Sequence, residues 1–71
     1  MMKEITATMA GTVLNVLAEV GQNVTIGDEL LILESMKMEI PVESTNTGEV
    51  TEIKVTIGDF VNEGDVLIVM K

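Results

Sequence analysis

Gly48-Glu49-Val50-Thr51-Glu52-Ile53-Lys54-Val55-Thr56-Ile57-Gly58-Asp59 is the stretch from which the fold can be read. In it Ile53, Val55 and Ile57 alternate with Glu52, Lys54 and Thr56. A two-residue period is that of a β-strand with one buried face. The alternation therefore predicts Ile53, Val55 and Ile57 turned inward, with the chain reversing at Gly58, where a positive φ costs least. Short strands between such turn signals indicate a sandwich or barrel, and helix is disfavoured throughout.

The same grammar stands earlier in the chain. Setting Gly11 against Gly48 gives an offset of 48 − 11 = 37, and that shift also pairs Gly21 with Gly58 and Gly27 with Gly64, all six glycines. Val13/Val50, Val24/Val61, Asp28/Asp65 and Leu30/Leu67 are identical, and Val16/Ile53, Val20/Ile57 and Ile32/Val69 are conservative. A repeat present only twice is too short a series for a solenoid and fits two halves around one shared core. By this register Val16, Ala18 and Val20 point inward, while Gly27-Asp28 and Gly64-Asp65 are turns leading into strands. The halves differ where Leu14 and Leu17 take the outward places of Thr51 and Lys54. Two leucines are thus expected on the surface, as ordinary exposed apolar area or as a docking patch.

At 71 residues, starting with Met1, one domain over 1–71 is expected. A chain this short is marginal and often needs disulfides or a metal. Cysteine and histidine are both absent, so close packing of Val, Ile and Leu must supply the stability, and the lone aromatic, Phe60, cannot build the core. The absence of cysteine fits a reducing compartment. Met1 to Ile5 has no apolar run of a signal peptide, and Leu30–Leu33 and Val66–Met70 fall far short of the roughly 18 residues of a membrane helix. The expected location is the cytoplasm. Twelve acids against four lysines give a formal net charge of −8, which repels nucleic acid and anionic membranes.

Between the halves lies Leu31-Ile32-Leu33-Glu34-Ser35-Met36-Lys37-Met38-Glu39-Ile40-Pro41-Val42, two strand-like runs meeting with no Gly, Asn or Asp at the junction. Tight hairpin turns need positive φ, for which Met and Lys are poor occupants. A turn at Met36-Lys37 breaks a rule that every other turn here obeys, and such violations tend to mark function. Ile40 and Val42 are expected to anchor the returning strand inward, with Glu39 and Glu43 outward. Pro41 cannot donate a ladder hydrogen bond, so its strand is an edge or is bulged there. Lys37 then projects from one end of the sandwich, with the chain termini toward the other.

At these residues the chain resembles the biotinyl/lipoyl attachment domain family. Met36-Lys37-Met38 is similar to the family's Met-Lys-Met biotinylation motif, set midway between Gly27-Asp28 and Gly64-Asp65. The resemblance implies an all-β flattened barrel or sandwich of two four-stranded antiparallel sheets with internal pseudo-twofold symmetry, a barrel-sandwich hybrid, with the modified lysine on the turn between the fourth and fifth strands. It implies biotin joined covalently to Lys37 by a biotin protein ligase, with Met36 and Met38 as flanking recognition residues. The biotin then shuttles a carboxyl group from biotin carboxylase to carboxyltransferase, in a non-catalytic carrier expected to be a monomer. Glu34, Ser35 and Glu39 are further candidates for ligase recognition. Ser35 stands where many biotinyl domains have Ala, and Glu34-Ser35 is similar to lipoyl domains, so a lipoyl carrier, or an attachment protein that takes either biotin or lipoyl, is the alternative. A third reading is an unmodified acidic interaction module using Leu14 and Leu17.

Catalysis by the chain itself is disfavoured. There is no His or Cys for acid-base, nucleophilic or metal chemistry and no arginine to clamp phosphate; Ser35 and Ser44 lack a base, and Glu34 and Glu39 read as solvated surface acids.

Overall fold

The structure is a computed structural model that describes residues 2–71, so Met1, the first residue of the expected 1–71 domain, lies outside the described residues. Eight strands follow in order: β1 (Lys3–Thr6), β2 (Gly11–Val16), β3 (Asn23–Val24), β4 (Glu29–Ser35), β5 (Met38–Glu43), β6 (Gly48–Ile53), β7 (Phe60–Val61) and β8 (Val66–Met70). They form two four-stranded sheets of order β1-β8-β6-β3 and β5-β4-β2-β7, every pairing antiparallel.

The 37-residue repeat maps one sheet onto the other. Adding 37 turns β2, β3 and β4 into β6, β7 and β8; subtracting it turns β5 into β1. The registers follow: Leu33↔Ile40, Ile32↔Pro41 and Leu31↔Val42 correspond to Met70↔Lys3, Val69↔Glu4 and Ile68↔Ile5. Even the irregularities repeat, since the bulge in β2 between Val13 and Asn15 recurs in β6 between Val50 and Glu52. The turns share their hydrogen bonds too. Asp28 Oδ2 accepts from the Thr25 amide at 2.9 Å, and Asp65 Oδ2 accepts from the Asn62 amide at 2.8 Å. Each carboxylate satisfies a donor that the reversing backbone leaves unpaired.

One apolar cluster lies between the sheets. Leu31, Leu33, Val50, Leu67, Ile68 and Met70 have no exposed surface, and Val13, Val24 and Leu30 have almost none. Such side chains contribute about 1.5–3 kcal/mol each on burial. Their β-branched and leucine character thus takes the place of the disulfides and the Cys or His metal ligands that the sequence lacks. Phe60 lies outside this core, 65% exposed. Ser44, the one buried polar residue among the described residues, donates its hydroxyl to the Asn46 carbonyl and also lies 3.9 Å from the Met70 sulfur.

Two inward assignments fail. Ala18 and Val55 are buried and Val16 and Ile53 pack against the core, but Val20 and Ile57 are 63% and 65% exposed. β2 and β6 end at Val16 and Ile53, and the chain is already crossing to the other sheet when it reaches the two residues before Gly21 and Gly58. The two-residue period therefore no longer applies there. Ile40 is only half-buried, while Val42 is buried as expected. Leu14 and Leu17 are exposed, and Pro41 sits on an edge strand.

The symmetry also places the hairpin. Met2 and Lys71 occupy, beside β1 and β8, the positions that Glu39 and Glu34 hold in the other sheet, so the β4–β5 connection and the described chain ends are pseudo-equivalent features.

Candidate functional site

The β4–β5 hairpin closes through Ser35↔Met38, leaving Met36 and Lys37 as a two-residue loop. Their φ angles are 53° and 63°, and among the described residues no other non-glycine has positive φ. Two positive values give the type I′ arrangement, whose twist matches that of the flanking strands. Gly21, Gly27, Gly58 and Gly64 bear the other positive φ values. An L-residue with a β-carbon pays roughly 1–2 kcal/mol for this conformation. The ladder beneath imposes it: Leu33↔Ile40 and Leu31↔Val42 tie both strands to the core, and Leu31 and Leu33 are fully buried. Shifting the register by one residue would turn both leucines out to solvent.

The result is an amine on a stiff support. Met36 is 91% exposed, and Lys37 and Met38 are exposed beside it. Lys3 Nζ donates to the Thr47 carbonyl at 2.8 Å, and Lys54 Nζ lies 3.1 Å from Glu52. Lys71 is joined to Glu49 through its backbone N–H and carbonyl. The Lys37 side chain has neither a hydrogen bond nor an ion pair among the described residues.

The other predicted site residues fall within two positions of the turn. Ser35 is half-buried opposite Met38, and Glu34 stands directly across from Glu39 on the outer face, both exposed. Like charges so opposed are unfavourable by roughly 0.2–1 kcal/mol. Gly11 also belongs to the support. A β-carbon there would sit 2.8 Å from the Glu34 carbonyl oxygen and 3.5 Å from the Ser35 β-carbon, so only glycine lets β2 lie this close beneath the tip strand. The glycine repeat marked Gly11 in the sequence but not its reason. The described residues hold no cluster of His, Cys, Asp or Glu arranged for a metal. What the arrangement offers is a primary amine, nucleophilic when deprotonated, held out by two short strands between two thioethers that the described residues leave exposed.

Comparison with known proteins matches the family model described as "Biotin-requiring enzyme" to residues 3–70. The "Biotin/lipoyl attachment protein" of Bacillus subtilis is 48% identical over 64 residues, 90% of this chain and 88% of that protein. The "Biotinylated protein TB7.3 homolog" of Mycobacterium leprae is 39% identical over 70 residues, 99% of each. Among solved structures, the urea carboxylase of Kluyveromyces lactis superposes with a TM-score of 0.92 at 33% identity. That match covers 99% of this chain and 6% of the carboxylase.

Proposed function

This chain belongs to the biotin/lipoyl attachment family of biotin-requiring enzymes, and from that premise we propose that it is a biotin carboxyl carrier whose biotin is attached at Lys37. The observation that carries the assignment is the turn itself. Lys37 lies in the only non-glycine positive-φ pair among the described residues, flanked by exposed Met36 and Met38.

A biotin protein ligase activates the biotin carboxyl group as a mixed anhydride with AMP, ATP losing pyrophosphate, and Lys37 Nζ then displaces the AMP and gives up its proton. An amide bond forms and the ammonium charge is lost, so the formal charge moves from −8 to −9. Met36 and Met38 supply adaptable apolar contact to the ligase, and Glu34, Ser35 and Glu39 lie close enough to the turn to take part in recognition. The biotinyl-lysine then acts as a tethered arm, carboxylated at a biotin carboxylase and discharged at a carboxyltransferase. Tethering converts each encounter into an intramolecular one at high effective concentration. Catalysis belongs to those partners. The 1–71 span works as one attachment domain, monomeric and in the cytoplasm; no helix among the described residues is long and apolar enough to cross a membrane.

The test is uptake of biotin by the wild-type chain and by Lys37→Arg in the presence of a biotin protein ligase, biotin and ATP. One biotin per wild-type chain and none on the variant is expected; equal uptake by the variant would remove Lys37 as the site. A second reading is lipoylation of the same amine, supported by Glu34-Ser35 and by the name of the Bacillus subtilis relative. A lipoate ligase that outcompetes the biotin ligase on this chain would favour it.

A further inference from the structure

The internal symmetry provides a comparison of the two outer faces, position by position. Phe60 pairs with Thr12, Thr12 with Glu34, and Glu34 with Glu39, so these four form one cross-strand row on the outside of the lysine-bearing sheet, just behind the turn. Leu14 lies in the β2 bulge next to Asn15, whose partner in the following row is Ile32, itself paired with Pro41. Leu17 follows with its neighbours Val16 and Ala18 turned to the core.

On the other sheet the equivalent positions of Phe60, Leu14, Leu17 and Pro41 are Asn23, Thr51, Lys54 and Glu4, all polar. Lys54 is moreover engaged with Glu52. The backbone and register are the same, so the fold does not require apolar residues at these places. Yet on the lysine-bearing face Phe60 is 65% exposed and Leu14 and Leu17 are exposed as well. The acids on that face are arranged unlike those on the other. Glu34↔Glu39 and Glu29↔Glu43 are two directly opposed like-charge pairs, and neither has a cation within ion-pair distance among the described residues. An apolar strip bordered by uncompensated carboxylates is a surface complementary to an apolar patch with a basic rim. A second copy of this chain, also at −8, would bring carboxylates onto carboxylates.

We propose that the outer face of the β5-β4-β2-β7 sheet, centred on Phe60, Leu14 and Leu17, is the docking surface for the enzyme that acylates Lys37, through an apolar patch with a basic rim on that enzyme. The proposal rests on the carrier reading above. An acylating enzyme must reach the unmodified amine, so its own surface has to come within one lysine side chain of the turn and spread over an adjacent face. The row reaches Glu34 and Glu39 about one residue rise, roughly 3.3 Å, behind the Ser35–Met38 pair, and Phe60 lies two strands across the sheet from Glu34, roughly 10 Å, so the face begins at the turn and extends away from it. Enzymes that act on the finished arm meet the cargo farther from the body and need less of this face.

The experiment uses the full chain as protein substrate of a biotin protein ligase, with initial rates measured against chain concentration. The variant Leu14→Thr/Leu17→Lys/Phe60→Asn installs the residues of the other sheet, and Phe60→Asn alone is the second variant, at a site too exposed to threaten folding. Circular dichroism confirms that each is folded. The expected result is a KM at least about tenfold higher for the triple variant and several-fold higher for Phe60→Asn, with kcat within about twofold. The KM of wild type should also rise more steeply with salt than that of Glu29→Gln/Glu43→Gln. An unchanged KM in both apolar variants, while wild type is biotinylated, overturns the docking surface alone. An increase confined to the carboxylase reaction, or a wild-type dimer in sedimentation that the triple variant abolishes, overturns it in favour of another occupant. No biotin uptake by wild type overturns the carrier reading itself.

Discussion

Replacing the tip with Asn-Gly, as Met36→Asn/Lys37→Gly, should make the domain more stable while removing the proposed attachment site. Both residues hold positive φ, at roughly 1–2 kcal/mol each for an L-residue with an ordinary side chain. Asn tolerates that region and Gly has no β-carbon to clash, so the gross relief is roughly 2–4 kcal/mol. Against it stand the extra unfolded-state entropy of Gly, roughly 0.5–1 kcal/mol, and the residual cost of Asn. Almost no burial is lost, because Met36 is 91% exposed. The net gain is about 1–2 kcal/mol, or about 5–15 °C in Tm for a domain of this length. Thermal unfolding followed by far-ultraviolet circular dichroism, with urea titration to check that the m-value is constant, measures it. A Tm equal to or below that of wild type at unchanged m would refute the idea that the tip is held in an unfavourable conformation. Met36→Asn alone keeps the lysine; it should gain about half the stability yet be a poorer ligase substrate, the trade expected where strain serves function.

Other outcomes follow from the same packing. Gly48→Ala would drive a β-carbon into the Lys71 carbonyl oxygen, and Gly11→Ala would place one 2.8 Å from the Glu34 oxygen; both should lower the urea midpoint, Gly48→Ala more. Asp28→Ala and Asp65→Ala each remove one turn hydrogen bond of matching geometry and should each cost roughly 0.5–2 kcal/mol, so a large difference between them would contradict the equivalence of the halves. Leu67→Ala in the closed core should cost roughly 2–5 kcal/mol and leave the domain close to unfolding at room temperature, measured by the same titration. With a charge of −8 and two opposed carboxylate pairs, Tm should rise between 0.01 and 0.5 M NaCl; a fall would show that the surface charges attract on balance.

Much of the fold was legible because the chain states its pattern twice. The glycine spacing and the alternation at Ile53 and Val55 required two half-structures with inward faces, and the strand pairings obey that register residue for residue. Val20 and Ile57 were misread because periodicity does not mark where a strand ends: the hydrophobic beat continued one step into the turn. The bulge at Leu14 is likewise silent, since it depends on the partner strand. At the site, Met36-Lys37 was legible through the absence of turn-forming residues, a local rule broken once. The opposed Glu34 and Glu39 and the closeness of Gly11 to Glu34 were not, because both arise from cross-strand register. Phe60 was recognisable as too solitary for a core, but only its pairing with Thr12 puts it in the row behind the turn.

The most direct measurement is peptide-level mass mapping of the protein isolated from its native host. One biotinyl group on Lys37, with Lys3, Lys54 and Lys71 free, is the expected result. Biotin on any of those three while Lys37 stays unmodified, or a lipoyl group on Lys37 in its place, would contradict the assignment of this hairpin as a biotin carrier.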